Sequence, residues 1–296
     1  MQLTSFLLVT GAAVAAAMPS GHAHLHRQAH EKRDPVFVKA DHPKIQLPTT
    51  TAQPTTTAAP VATSTTASQV SANAAASSSS SSSQYIAFCG GSGSSKRATN
   101  AQIMYTGNLG TANGCSWNSN MMTVDASIAD MYDYVQTYTN VASEPYQVIC
   151  ANKMGLDGGL NGLFKIATQT PLIFTLQPGE SQVVVSAANT QGACVFAPSA
   201  VPTTTYGQYA GAWMEFDTEN SSNGGWSGAD CSSLVAQAFG LTVPGCQVCG
   251  HGTCSTIYPG GQGENAYTKG LEAADGIGLN IAPGKVNMTI KVGYSG

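Results

Sequence analysis

Bulky apolar residues in this chain fall in short runs, spaced as strands are spaced. Val286-Asn287-Met288-Thr289-Ile290-Lys291-Val292 alternates apolar and polar residues almost to the C-terminus, and Trp213-Met214-Glu215-Phe216-Asp217 alternates apolar and acidic ones. Strict alternation is the signature of a strand with one buried and one wet face. Tyr146–Cys150, Leu172–Leu176 and Gln182–Ser186 are further runs, the last two separated by Gln177-Pro178-Gly179-Glu180, whose Pro-Gly pair signals a turn. Helical periodicity is sparse: a short helix is expected within Ala126–Tyr138, and a second in Ser232–Phe239, where Leu234, Val235 and Phe239 share one face. Short strands among glycine-rich turns predict a mostly β domain, an antiparallel β-sandwich with few short helices.

The first 84 residues have none of this patterning. Residues 1–17 have a short polar start, an apolar stretch and a small-residue end at Ala15-Ala16-Ala17, which predicts a secretory signal peptide. Residues 18–33 read as a propeptide ending at the dibasic pair Lys32-Arg33, so His22, His24, His26 and His30 leave with it and no metal site is expected in the mature chain. Residues 34–84 are a Ser/Thr/Ala/Pro-rich linker with too little apolar surface to offset chain entropy, hence disordered, with the O-glycosylation usual for such stalks. The domain proper spans 85–296. It contains a second dibasic pair, Lys96-Arg97, and two N-glycosylation sequons, Asn220-Ser221-Ser222 and Asn287-Met288-Thr289. No run approaches the ~20 apolar residues of a spanning helix, and no hydrophobic tail signals a lipid anchor, so no membrane partner is expected.

Charge narrows the partners further. The domain has seven Lys and Arg against thirteen Asp and Glu, a formal balance of −6. Nucleic-acid binding needs a basic face and is not expected; a neutral polysaccharide or a basic protein fits. All eight cysteines, Cys89, Cys115, Cys150, Cys194, Cys231, Cys246, Cys249 and Cys254, lie in this domain. In an exported protein they read as disulfides. Eight cysteines allow about 105 full pairings, which spacing alone does not decide. Local spacing favours Cys249–Cys254 and Cys231–Cys246; Cys150 and Cys194 each close a strand-like run, leaving Cys89 with Cys115. The alternative, zinc held by the Cys246–Cys254 cluster with His251, suits a reducing compartment, so no cofactor or metal is expected.

Several strings occur together in order: Tyr105-Thr-Gly-Asn-Leu-Gly110, Asn152-Lys-Met-Gly-Leu-Asp-Gly-Gly-Leu160, Leu176-Gln-Pro-Gly-Glu180, Gln191-Gly-Ala193, Trp213–Asp217, Gly225-Trp-Ser-Gly228, the Cys249…Cys254 loop, Ala266-Tyr267 and Asp275-Gly-Ile-Gly278. This set, from about 103 to 294, resembles the fungal secreted allergen family typified by Asp f 4. The resemblance implies a fungal extracellular or wall-associated protein, and it leaves the molecular function open. A fainter likeness, carried by Leu176–Ser181, Gln191-Gly192, Glu215-Phe216 and Asp230-Cys231-Ser232, is to thaumatin-like proteins. It implies a thaumatin-like outline and a cleft in which Glu215 and Asp230 face a β-1,3-glucan. Where that pattern has its next acid this chain has Leu234-Val235-Ala236, so glucan hydrolysis is not implied.

The residues themselves support a compatible reading. Glu215, Asp217, Glu219 and Asp230 are the densest acidic group, and alternation puts the first three on one strand face, each ~6–7 Å from the next. Two carboxyls roughly 5–9.5 Å apart are what a glycosidase uses; a solvated strand face is the simpler expectation. Trp226, set among glycines in Asn223–Gly228, is the tryptophan expected to be exposed for sugar stacking, whereas Trp213 is expected in the core. No nucleotide-binding loop or nucleophile elbow occurs, so no catalytic residue is assigned. The expected function is non-enzymatic: a secreted, wall-associated protein contacting cell-wall β-glucan or a host protein through Glu215, Asp230 and Trp226. The alternatives are a glycan hydrolase using Glu215 and Asp230, and a host-directed effector or antimicrobial protein.

Overall fold

The computed structural model describes residues 84–89, 107–111, 114–156, 158–159, 162, 171–274 and 276–296. The expected signal peptide, the propeptide with Lys32-Arg33, the linker up to residue 83, and Lys96-Arg97 lie outside the described residues. Thirteen strands are described: β1 (Met121–Val124), β2 (Tyr134–Asn140), β3 (Tyr146–Asn152), β4 (Leu172–Leu176), β5 (Ser181–Ser186), β6 (Thr190–Pro198), β7 (Ala212–Asn220), β8 (Trp226–Ser232), β9 (Cys246–Gly250), β10 (Thr253–Ile257), β11 (Gly263–Glu264), β12 (Leu279–Ile281) and β13 (Val286–Val292). They form a seven-stranded sheet, β1-β5-β2-β13-β9-β10-β11, and a six-stranded sheet, β12-β8-β7-β6-β3-β4. Among the described residues, helix is confined to the short α1 (Leu234–Ala238) and to 3₁₀ turns.

The sheets pack face to face. Between them lie Tyr138, Val184, Val248, Met288 and Ile290 from one sheet and Val148, Phe196, Met214, Phe216 and Cys231 from the other. β13 shows how its sequence dictates this: Val286, Met288, Ile290 and Val292 are buried, and Asn287, Thr289 and Lys291 are exposed. Gly192 sits where a Cβ would come within 2.9 Å of the Phe216 ring and 2.8 Å of Ala151 O, so the absence of a side chain there leaves room for the ring. Each sheet is also partly covered on its outer face. Val124, Ile128, Tyr132, Val135, Val183 and Val185 form a second cluster outside the seven-stranded sheet. Trp117, Ile149, Val195, Val201, Tyr209 and Trp213 form a third outside the six-stranded one.

The structure adds detail to three expectations. The sandwich is not wholly antiparallel: β13 runs parallel to β2 over Val286–Val292, in register with Tyr134–Asn140. A parallel pair needs a long connection, and here nearly the whole domain connects the two strands. The region 126–138 is helical only in a 3₁₀ turn, Ala126–Met131, capped where Asp125 Oδ1 accepts from Ser127 N at 2.8 Å. From Tyr134 onward, Tyr, Val and Thr side chains suit a pleated, half-buried surface better than a helix. The expected Gln177–Glu180 turn is present, closed by Glu180 N donating to Gln177 O at 2.9 Å; it carries the chain from one sheet to the other, so β4 and β5 do not pair.

Four disulfides cross-link this frame. Cys150–Cys194 joins register partners on β3 and β6, and Cys249–Cys254 joins partners on β9 and β10. Cys231–Cys246 links β8 to β9 and so staples one sheet to the other. Cys89–Cys115 fastens the segment 84–89, which also docks on Tyr132: that hydroxyl accepts from Ile86 N at 3.0 Å and donates to Ile86 O at 2.8 Å. Native disulfides of this kind contribute roughly 2–4 kcal/mol each by restricting the unfolded chain.

Neighbouring positions on β13 should therefore differ sharply in urea unfolding with the disulfides intact. Ile290→Ala, at the sheet–sheet interface, is expected to cost about 2–5 kcal/mol. Lys291→Ala, which loses only a surface contact with the Tyr294 ring, is expected to cost less than about 1 kcal/mol. Similar costs at the two positions would show the inward and outward faces to be misassigned.

Candidate functional site

Strand register arranges the outer face of the six-stranded sheet in rows. One row runs Ile149, Val195, Trp213, Ser232 across β3, β6, β7 and β8. The next runs Ala151, Ala193, Glu215, Asp230. The third contains Gln191, Asp217, Gly228 and Asn280 across β6, β7, β8 and β12. Rows repeat about every 6.7 Å along a strand, while directly opposed side chains have Cβ atoms about 4.5–5.5 Å apart. Glu215 and Asp230 are thus immediate cross-strand neighbours, and the flanking Ala151, Ala193 and Gly228 are small.

The two carboxyls have different surroundings. Glu215 is half-buried, whereas Asp230 has no exposed surface. Gly278, just before β12, lies against Asp230: its φ is +99°, and a Cβ there would stand 2.8 Å from Asp230 Cβ and 2.5 Å from Ala229 O. Only glycine meets both demands, since φ > 0 disfavours a side chain and the space is filled. Asn265 clasps this segment, accepting from Gly278 N at 2.9 Å and donating to Gly278 O at 3.0 Å and Cys254 O at 3.0 Å. Tyr267 extends the cover by donating its N–H to Cys231 O at 2.9 Å. Burial, and then the negative charge of Glu215, push the Asp230 carboxyl well above the usual carboxylate range. Its neutral, protonated form is the favoured one in such surroundings.

Asp217 is a second perturbed acid, 2 % exposed. Burial raises its pKa from 3.8 to about 7, against the opposing pull of the Asn220 amide and the Lys153 charge. Asn220 Nδ2 donates to Asp217 Oδ2, while Asp217 Oδ1 has no hydrogen-bond partner among the described residues. Gln191, directly opposite in register, is 1 % exposed and likewise has a buried oxygen, Oε1, without a partner. Protonation turns one Asp217 oxygen from acceptor into donor, and Gln191 Oε1 is an acceptor on the register partner.

Glu219 does not join this face, contrary to the simple alternation. A β-bulge between Asp217 and Asn220 inserts one extra β7 residue opposite β8. Glu219 takes a left-handed φ of +48°, and its carboxylate accepts from Tyr134 Oη of the other sheet. Burial, and then that contact, raise the Tyr134 pKa. Trp226 opens β8 and is 41 % exposed; Trp213 and Trp117 are 5 % and 4 % exposed. Trp226 shares the alternation of Gly228 and Asp230, four residues or about 13 Å from the latter. Of the sequons, Asn220 is buried and Asn287 exposed. All eight cysteines are in disulfides, and His251 lies exposed in the β9–β10 turn. Among the described residues no group of three or more His, Cys, Asp or Glu is placed to hold a metal ion. Gln191, Lys153, Asn265 and Gly278 belong to this site although none carries a catalytic motif; only the partner strands bring them to the acids.

Residues 119–292 match the family described as the Allergen Asp f 4-like domain. Allergen Asp f 4 of Aspergillus fumigatus is 33% identical over 208 residues, which cover 69% of this chain and 62% of that protein, so the match spans less than two thirds of the relative. Two solved structures align over 53% of this chain and 97% of their own: the protein elicitor MoHrip2 from Magnaporthe oryzae (14% identity, TM-score 0.32) and the thaumatin-like xylanase inhibitor TLXI (11% identity, TM-score 0.34). Likeness at those scores carries no argument about site or function.

The buried acids fix the sign of the pH dependence. Asp217 has a folded pKa of about 7 against an ordinary 3.8, so the folded state binds its proton more tightly than the unfolded state. Its contribution to stability is full below pH ~4 and is lost as pH rises to about 7. Melting temperature at constant ionic strength should fall from pH 4 to pH 7. Asp217→Asn should flatten that slope, removing on the order of 4 kcal/mol of pH-dependent stability. A melting temperature that climbs over this range in both proteins would contradict the assignment.

Proposed function

The chain belongs to the Allergen Asp f 4-like family, and from that premise we propose that it is an exported, non-enzymatic recognition protein that binds neutral cell-wall polysaccharide of the β-glucan class through the outer face of its six-stranded sheet. The observation that supports this best is the cross-strand pair of Glu215 and Asp230. Glu215 is the half-buried member that a ligand meets, and its carboxylate is an acceptor for sugar hydroxyls. Burial favours the neutral form of Asp230 beneath it, which spares a ligand two adjacent charges. Trp226 offers an exposed ring for the apolar face of a sugar. The −6 balance of the domain favours a neutral polymer over an anionic one. Four disulfides with no free cysteine among the described residues support an oxidising, extracellular setting.

One observation favours hydrolysis as a second reading: an acid of raised pKa directly opposite another carboxyl is the kind of pair a glycosidase uses. Against it stands the complete burial of Asp230 beneath Gly278, since a general acid must come within hydrogen-bond reach of the glycosidic oxygen.

Co-sedimentation with insoluble β-1,3-glucan and with chitin, read alongside reducing-sugar release, separates the readings. The expected result is retention on glucan without sugar release, weakened about tenfold by Glu215→Gln through loss of one charge-assisted hydrogen bond. Sugar release abolished by the same substitution would establish the hydrolase instead. Neither retention nor release would overturn both readings and favour a host-directed protein partner.

A further inference from the structure

The two N-glycosylation sequons meet opposite fates in the fold. Asn220 is 2 % exposed and caps the 3₁₀ turn Ser221–Asn223 at the β7–β8 connection. Its Oδ1 accepts from Ser222 N at 2.9 Å and Asn223 N at 3.1 Å, and also from Ser222 Oγ. Its Nδ2, the atom to which a glycan is attached, donates to the buried Asp217 carboxyl. Its backbone carbonyl accepts from Gly225 N at 2.8 Å and so closes the turn. A sugar on Nδ2 would have to leave through the space between Asn220 and Asp217, uncovering an acid that is itself 2 % exposed.

Asn287 is the reverse case. It lies near the start of β13, on the face of the seven-stranded sheet turned away from the core, and both Asn287 and Thr289 of its sequon are exposed while Met288 between them is buried. Its side-chain amide makes no hydrogen bond among the described residues. Beyond it the chain turns through the exposed His251 and Gly252 between β9 and β10.

We propose that Asn287 is the acceptor for an N-linked oligosaccharide and that the sequon at Asn220 stays unmodified in the native protein, its amide serving as the cap of the β7–β8 turn and the donor to Asp217. A glycan at Asn287 stands on the seven-stranded sheet, whose outer face is remote from the row of Glu215 and Asp230 on the six-stranded sheet. Modification therefore leaves that row open whatever ligand it binds.

The test is glycopeptide mapping and intact mass of the full chain secreted from a eukaryotic host, before and after an endoglycosidase specific for N-linked sugars. The expected result is a single enzyme-sensitive glycan on the peptide containing Asn287, lost in both Asn287→Gln and Thr289→Ala. Ser222→Ala removes the other sequon while keeping the Asn220 amide, and should leave the mass shift unchanged. Asn220→Gln should likewise keep the glycan but lower the melting temperature, because the cap and the donor to Asp217 are displaced. Occupancy at Asn220 in folded, secreted protein, or an Asn287→Gln variant with an undiminished shift, would overturn the assignment, as would a wild-type chain with no N-linked sugar at all.

Discussion

The register of β6, β7 and β8 is the constraint on which the rest depends. Phe196, Met214 and Cys231 face the other sheet because Ala193, Glu215 and Asp230 face away from it. A slip of one residue would exchange the two sets, putting carboxyls into the core and aromatic rings at the surface. Two disulfides hold this register: Cys150–Cys194 locks β3 to β6, and Cys231–Cys246 locks β8 to the opposite sheet. The core packing and the site are thus two readings of one alignment, and neither can shift without the other.

That alignment also explains how a chain with few charges comes to bury two acids. Asp217 and Asp230 lie on the outer face, a position that is ordinarily solvated. The Asn265-clasped segment, Gly278 and the bulge at Asp217–Asn220 close over them. An ionised carboxylate in such a place carries a large desolvation penalty, and the available response is to retain the proton. The adjacent Glu215 keeps contact with solvent. The two sheets consequently differ in their outer surfaces: one carries the acid row, and the other carries the alternating Asn287, Thr289 and Lys291.

What the sequence makes legible follows from burial. β13 is dry on one side and wet on the other along its whole length, so its alternation reads directly. β4 and β5 stand out beside the Pro-Gly turn. β6, by contrast, is covered on both faces, and its run of Gln, Gly, Ala, Cys, Val and Phe shows no alternation to detect. After Trp226, β8 is built of small and polar residues whose burial is decided by what is laid over it. The juxtaposition of Glu215 with Asp230 was visible through family likeness, whereas the roles of Gln191, Asn265 and Gly278 depend on which strands adjoin, a property with no local signal. Glu219 misleads for the same reason: the stretch from Met214 to Glu219 alternates uncharged and acidic residues, and the bulge exists only relative to β8. Eight cysteines left many pairings open, and the strand pairing selects one set among them.

The central claim is that this face of the sheet holds protonated aspartic acids within a folded, cross-linked protein. Carboxyl carbon chemical shifts of Asp217 and Asp230, followed by NMR as a function of pH, test it most directly. The account predicts an Asp217 midpoint near 7 and an Asp230 that still carries its proton where ordinary aspartates have ionised. Both carboxyls titrating close to the ordinary value of 3.8 would contradict it.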